Sequence, residues 1–209
     1  MQVIATDVLD TKEKMVNMAQ EQLKKPGFAI DPYFYRSHVT YQSELEHIIF
    51  KSWLYAGHVS QIPNKGDYFL FDIGEDSIII CRDRKEEIHA MHNMCRHRGA
   101  RVCEEPSGNC RVFACPYHGW GYALDGTLKA ARDMRDVEGF NFEDYGLLHV
   151  RMEIFQGMIF INCDPDAPDF KKPLSKISKQ LGAYDLENAK VAEAKTYKID
   201  ANWKLCLEN

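Results

Sequence analysis

The 209-residue chain has no apolar run near the roughly eighteen residues that a membrane-spanning helix requires. Its apolar stretches are short, such as "SIIIC" (Ser77 to Cys81) and "GMIFI" (Gly157 to Ile161), so a soluble protein without membrane partners is expected. Positive charge is also scarce. Lys and Arg number 26 against 31 Asp and Glu, and the formal net charge of −5 offers no footprint for nucleic acid. The start, "MQVIATDVLDTKEK", lacks a basic segment followed by an apolar block, which argues against a secretory or organellar presequence. Cytoplasm is the expected location. There is no internal repeat and no low-complexity tract. Seven cysteines (81, 95, 103, 110, 115, 163 and 206) form an odd, irregularly spaced set, which excludes a secreted disulfide framework and leaves metal binding or packing as their use.

With 45% hydrophobic residues the chain can bury one sizeable core, or one domain and part of a second. Residues 10–25 read as a helix capped by Asp10 with Glu13 three positions on, stopped by "KKPG". An extended aromatic stretch, "FAIDPYFYRSHVTY", follows, and "SELE" opens a second helix with capping-box spacing between Ser43 and Glu46. From Trp53 the period changes to two. Strands are expected at "WLYAGH", "DYFLFDI", "SIIICRD" and "EIHAMHNM", a hairpin at "GYALDGTLKA" and further strands at "LLHVRMEIF" and "GMIFINC". "DPDAPDFKKPL", with three prolines in eleven residues, reads as a linker. Beyond it a helix over 174–181, a strand at "AEAKTYKID" and a new element at "NWKLCLEN" are expected. The expected division is a helical and extended segment over 1–52, a β domain over 53–163, a linker over 164–173 and a further element over 174–209.

Two short motifs carry the chemistry. "CRHRG" places Cys95 and His97 in a Cys-x-His pair, and "CPYHGW" places Cys115 and His118 in a Cys-x2-His pair, with seventeen residues between the pairs. Structural zinc sites usually pair like ligands, as Cys-x2-4-Cys or His-x3-5-His. A [2Fe-2S] cluster with two chemically different irons instead takes one thiolate and one imidazole from each of two loops, which is the Rieske arrangement. Neutral imidazoles replace anionic thiolates, so an added electron is better accommodated and the potential rises above that of all-cysteine ferredoxins. Each imidazole also keeps a second nitrogen for a proton or a partner, so His97 and His118 are expected to point outward. Gly99 and Gly119 are expected to let backbone amides approach the bridging sulfides, Pro116 to stiffen its loop, and Trp120 to shield the cluster or to serve as ordinary core.

"CRHRGARVC" with "GNCRVFACPYHGWGYALDGTL" resembles the Rieske domain of the alpha subunits of Rieske non-heme iron oxygenases, which include aromatic-ring-hydroxylating dioxygenases and quaternary-amine monooxygenases. The likeness runs from about Tyr33 to "ANWKLCLEN". It implies a mainly β, α+β chain: an antiparallel Rieske-type β-sandwich with an inserted cluster-binding subdomain, followed by the truncated start of an α+β catalytic domain. It also implies Cys95, His97, Cys115 and His118 as cluster ligands, with Gly99, Pro116, Tyr117, Gly119 and Trp120 around the cluster. The respiratory Rieske class has an extra cysteine in each loop; Ala100 and Tyr117 stand at those places here, which favours the oxygenase class.

In the family "NWK…EN" opens the catalytic domain, and Asn209 matches an asparagine near a mononuclear Fe(II) whose carboxylate and two histidines come later. His38, His47, His58, His89, His92 and His149 make no two-histidine, one-carboxylate pattern. The chain is therefore expected to be part of a longer oxygenase subunit, itself unable to activate oxygen. Electrons would come from NAD(P)H through a separate reductase or ferredoxin, and the full subunit would form a homotrimer, with or without a beta subunit, on an aromatic or quaternary-amine substrate. The alternatives are a free-standing Rieske-type ferredoxin and a zinc-stabilised β domain without redox activity.

Overall fold

The computed structural model describes residues 9–208, which form two compact units: residues 9–51 with 194–208, and residues 52–193.

In the first unit, helix α1 (Lys12–Leu23) is capped by Thr11, whose Oγ1 accepts the Lys14 N–H. Asp10 is not the cap. Its carboxylate accepts the Tyr33 hydroxyl (2.7 Å), the Ser37 hydroxyl (2.8 Å) and the Val39 N–H (3.1 Å), so a tertiary cluster outcompetes the local capping box. The stretch read as extended holds a helical turn, α2 (Tyr33–Arg36), and α3 (His38–Glu44) starts ahead of "SELE", because Ser37 Oγ already caps it by accepting Thr40 N–H. Ser43 thus lies inside the helix, which passes into one π-helical turn, Leu45–Ile49. The C-terminal α6 (Trp203–Leu207) is joined to α3 by an ion pair of low exposure: Lys204 Nζ lies 2.6 and 2.8 Å from the Glu44 carboxylate oxygens, and Trp203 Nε1 donates to the same group.

The second unit is built on three antiparallel sheets. β1 (Leu54–His58), β10 (Met158–Asn162) and β9 (Arg151–Phe155) form one, in the order β1-β10-β9. β4 (Ile88–His92), β3 (Asp76–Arg82), β2 (Asp67–Ile73) and β5 (Ser107–Asn109) form the central sheet in the order β4-β3-β2-β5. β6 (Phe113–Ala114), β7 (Gly121–Tyr122) and β8 (Leu128–Ala130) form a small third sheet.

Alternation along β3 explains the sandwich. Ile79 and Cys81 enter a core shared with the third sheet and the segment 95–124, whereas Ile78 and Ile80 enter a second core with Ile159 and Ile161 of β10. The strand is buried on both faces, which is why it reads as a continuous apolar run.

The segment read as a linker is fastened to the β1-β10-β9 sheet. Trp53 Nε1 donates to Pro168 O, Arg151 donates to Pro165 O and Ala167 O, and Phe170 is buried against the Trp53 and Phe160 rings. The expected helix over 174–181 is two separate turns, α4 (Lys171–Leu174) and α5 (Ser178–Leu181). No strand forms over 192–200; the alternating pattern there has no neighbouring strand among the described residues, and Tyr197 and Ile199 are exposed. Among the described residues no helix is long and apolar enough to cross a membrane.

Candidate metal centre

The two motifs fold into equivalent loops despite their different spacing. In the first, Cys95 O accepts the Gly99 N–H (2.9 Å) and the Cys95 N–H donates to Ala100 O (2.8 Å). In the second, Cys115 O accepts the Gly119 N–H (3.0 Å) and the Cys115 N–H donates to Trp120 O (2.8 Å). Each loop is closed by a glycine in the left-handed region, φ 75° at Gly99 and 70° at Gly119. The glycine amides themselves close the loops, and the left-handed backbone angle favours glycine at both positions.

The structure brings the two cysteines beside each other and the two histidines beside each other. Cys95 and Cys115 are buried, while His97 and His118 are half-exposed with ring centroids 4.6 Å apart, so sulfur lies inside and imidazole outside. His118 Nδ1 is sealed from solvent and has no hydrogen-bond partner. A buried nitrogen without a partner costs free energy unless something accepts its lone pair, and a metal does so. Partial burial, then the charges of His97 and Arg98, push the His118 pKa down, which keeps the ring neutral and ligand-competent. Burial raises the Cys115 thiol pKa and the Cys95 thiol beside it adds to this, while the N–H groups of Tyr117 and His118 point at the sulfur and favour its anion.

Trp120 is a core residue. It is 3% exposed within the core, and its ring stacks on His97 at 4.9 Å and 9°. Phe140 and Tyr145 pack on its edge and hold it there. Tyr117 lies over His118 (3.9 Å between rings) and is 60% exposed. Pro116 lines a cavity with Cys103 and Cys110, which are free thiols. Asn209 lies outside the described residues.

Two residues escaped the sequence reading. Tyr122 is fully buried; its hydroxyl accepts the Arg96 N–H at 3.0 Å and lies 3.2 Å from Cys95 Sγ. Burial, then Cys95, raises its pKa, so it stays a phenol able to donate. The inward position of a tyrosine two residues after Trp120, needing a partner for its hydroxyl, was the available signal. Asn93 is 3% exposed; its Oδ1 accepts the Val102 and Cys103 N–H groups, and its Nδ2 donates to Cys103 O and Ser77 Oγ. It clamps the base of the first loop, and only the fold brings these partners to it.

Residues 52–141 match the Rieske [2Fe-2S] domain family, and these residues are a Rieske domain. The chain is related through it, and well beyond it, to the alpha subunits of Rieske oxygenases. The glycine betaine monooxygenase oxygenase subunit of Pseudomonas aeruginosa (strain UCBPP-PA14) is 36% identical over 183 residues, covering 88% of this chain and 42% of the relative. The biphenyl 2,3-dioxygenase subunit alpha of Rhodococcus jostii (strain RHA1) is 36% identical over 184 residues, covering 86% and 40%. The quaternary ammonium Rieske monooxygenase CntA in complex with L-carnitine superposes with a TM-score of 0.77 at 31% identity, covering 84% of this chain and 51% of that one. The chain spans about two fifths of the length of these curated relatives.

Proposed function

We propose that Cys95, His97, Cys115 and His118 hold a Rieske [2Fe-2S] cluster, and that the chain is the electron-entry part of an oxygenase alpha subunit. The observation that carries this is the convergence of two buried thiols and two outer imidazoles, one of which has a sealed, unpartnered Nδ1. The donor set fits the group. When bound, the cluster supplies one-electron chemistry at a potential raised by its imidazole ligands. Cys95 and Cys115 would hold one iron, with Tyr122 and the amides of Tyr117 and His118 placed to stabilise charge on the sulfurs. His97 and His118 would hold the other iron, His118 through the sealed Nδ1, leaving imidazole nitrogen available for a proton or a hydrogen bond to a partner. Trp120 fixes the His97 ring and keeps water from its inner face.

Among the described residues the four donors do not gather into a single-ion group, as ligands about 2.0–2.3 Å from one zinc would. This supports two metals over a structural zinc. In the whole protein a reductase or ferredoxin fed by NAD(P)H would deliver electrons, and a mononuclear Fe(II) in a catalytic domain opening within 174–209 would use them to hydroxylate or demethylate an aromatic or quaternary-amine substrate. The names of the relatives support that range of substrates. A trimeric alpha-subunit assembly in the cytoplasm completes the reading. Electron paramagnetic resonance of the dithionite-reduced protein, with iron and sulfide counted on the same sample, tests it. A rhombic signal at two irons and two sulfides per chain is expected; a silent, colourless protein with one zinc would overturn it.

A further inference from the structure

Between the two ligand loops lie two cysteines that the cluster does not use. Cys103 is 8% exposed and Cys110 half-buried, both are free thiols, and both line one cavity of about 290 Å³. Glu104, Glu105 and Val112 line it too and are exposed, so the cavity opens to solvent.

The backbone holds the pair on one side of the domain. Asn93 pins Cys103: its Oδ1 accepts the Cys103 N–H at 2.8 Å and its Nδ2 donates to Cys103 O at 2.7 Å. The Cys110 N–H donates to Gly66 O at 3.0 Å. In between, β5 pairs with β2, and a Cβ on Gly108 would lie 3.1 Å from the Tyr68 ring, so that ring covers one face of β5. Cys110, two residues on, shares this face, and Tyr68 and Cys110 both pack against the core that contains Cys103. Residues 104–106 belong to no strand or helix, which leaves the chain room to bring the two Cα atoms within the roughly 4.4–6.8 Å that a disulfide spans. The thiols also feel each other's charge: burial, then Cys110, pushes the Cys103 pKa up to about 12. Burial raises Cys110 as well, but Arg84 opposes it, so Cys110 is both the more accessible thiol and the one with a cation favouring its thiolate.

We propose that Cys103 and Cys110 form a reversible disulfide by exchange with a small-molecule disulfide. The Cys110 thiolate attacks one sulfur of the external disulfide, whose S–S bond breaks, and one small thiol leaves with the proton that Cys110 gave up. The Cys103 thiolate then attacks the Cys110 sulfur of the mixed disulfide and expels the second small thiol. Two protein thiols are oxidised and one external disulfide is reduced to two thiols; excess thiol reverses both steps. The second step is intramolecular, which offsets the small thiolate fraction of Cys103. The bond ties Cys103, which Asn93 holds at the foot of the first ligand loop, to the stretch that leads through β6 into the second. Its formation does not depend on the cluster assignment.

Trypsin cleavage after Arg101 and Arg111 isolates residues 102–111, which hold Cys103 and Cys110 and no candidate ligand. The test is to treat the iron-loaded protein with hydroxyethyl disulfide, alkylate the remaining thiols and weigh this peptide by mass spectrometry. A peptide lighter by two hydrogen atoms and inert to alkylation is expected at unchanged iron content, and dithiothreitol should restore both thiols. Cys103→Ser should stop the reaction at the mixed disulfide on Cys110. Cys110→Ser should leave Cys103 reduced, and at its more exposed position it keeps the test valid should Cys103→Ser fold poorly. Two thiols that stay free, a mixed disulfide that persists in the unsubstituted chain, or a disulfide that forms only with loss of iron would each overturn the proposal.

Discussion

Tyr122→Phe removes one hydroxyl from a fully buried ring and leaves the ring's packing in place. That oxygen accepts the Arg96 N–H at 3.0 Å, so its own proton is free to point at Cys95 Sγ, 3.2 Å away. A hydrogen bond to a charged acceptor contributes about 1.5–3 kcal/mol. Reduction raises the charge on one ligand sulfur by only a fraction of an electron, so roughly 1 kcal/mol of this separates the reduced from the oxidised state. For a one-electron couple, in which about 59 mV corresponds to a factor of ten, the variant's potential should fall by about 40 mV. The assay is a redox titration followed by electron paramagnetic resonance, with unchanged iron content and g values as the sign of an intact cluster. The Arg96 N–H left without its acceptor should also cost about 1–3 kcal/mol, seen as a lower thermal midpoint. A potential that moves by less than about 10 mV, or upward, would refute the argument, because the phenol would then not donate its proton towards the sulfur.

Three further substitutions probe the frame around the site. Asn93→Leu orphans the Val102 and Cys103 amides, so a loss of about 2–4 kcal/mol and fewer irons per chain are expected from denaturant titration and metal analysis. Gly157→Ala places a Cβ on the ring of buried His58, whose Nε2 donates to Leu186 O, at a backbone φ of 79°; the urea midpoint should fall by about 2–4 kcal/mol equivalent at constant slope. Burial alone would raise the Asp10 pKa, but the Val39 N–H and the Tyr33 and Ser37 hydroxyls outweigh it and hold the carboxyl below its ordinary range. A lowered value stabilises the fold above the ordinary carboxylate pKa, and the contribution is lost as pH falls through the folded value, so Asp10→Asn should flatten the acid limb of a stability–pH curve.

The ligand loops were legible because each is local. A cysteine, a histidine and a closing glycine fall within five residues in each, and the left-handed glycine forms the same turn whether one or two residues separate the ligands. Only the structure shows that the glycine amides themselves close the loops. β1 to β4 were legible through their alternation and turns. β5 and β6, three and two residues long, carry too little pattern to announce themselves. The helix caps went astray for the opposite reason: Asp10 has a good local offer from its own helix, but Tyr33, Ser37 and Val39 make a better one from across the unit.

By itself the sequence determined which atoms can meet a metal, and that two thiols and two imidazoles are offered in pairs, because those properties follow from residue type and short spacing. Tertiary structure decided what surrounds them: the Tyr122 hydroxyl on Cys95, the Trp120 face on His97, the Asn93 clamp under the first loop, and the fastening of residues 164–170 to a sheet. These contacts join positions as far apart in the chain as Trp53 and Pro168, and their partners are selected by packing and by the need to satisfy buried polar groups, neither of which has a period that a sequence can display.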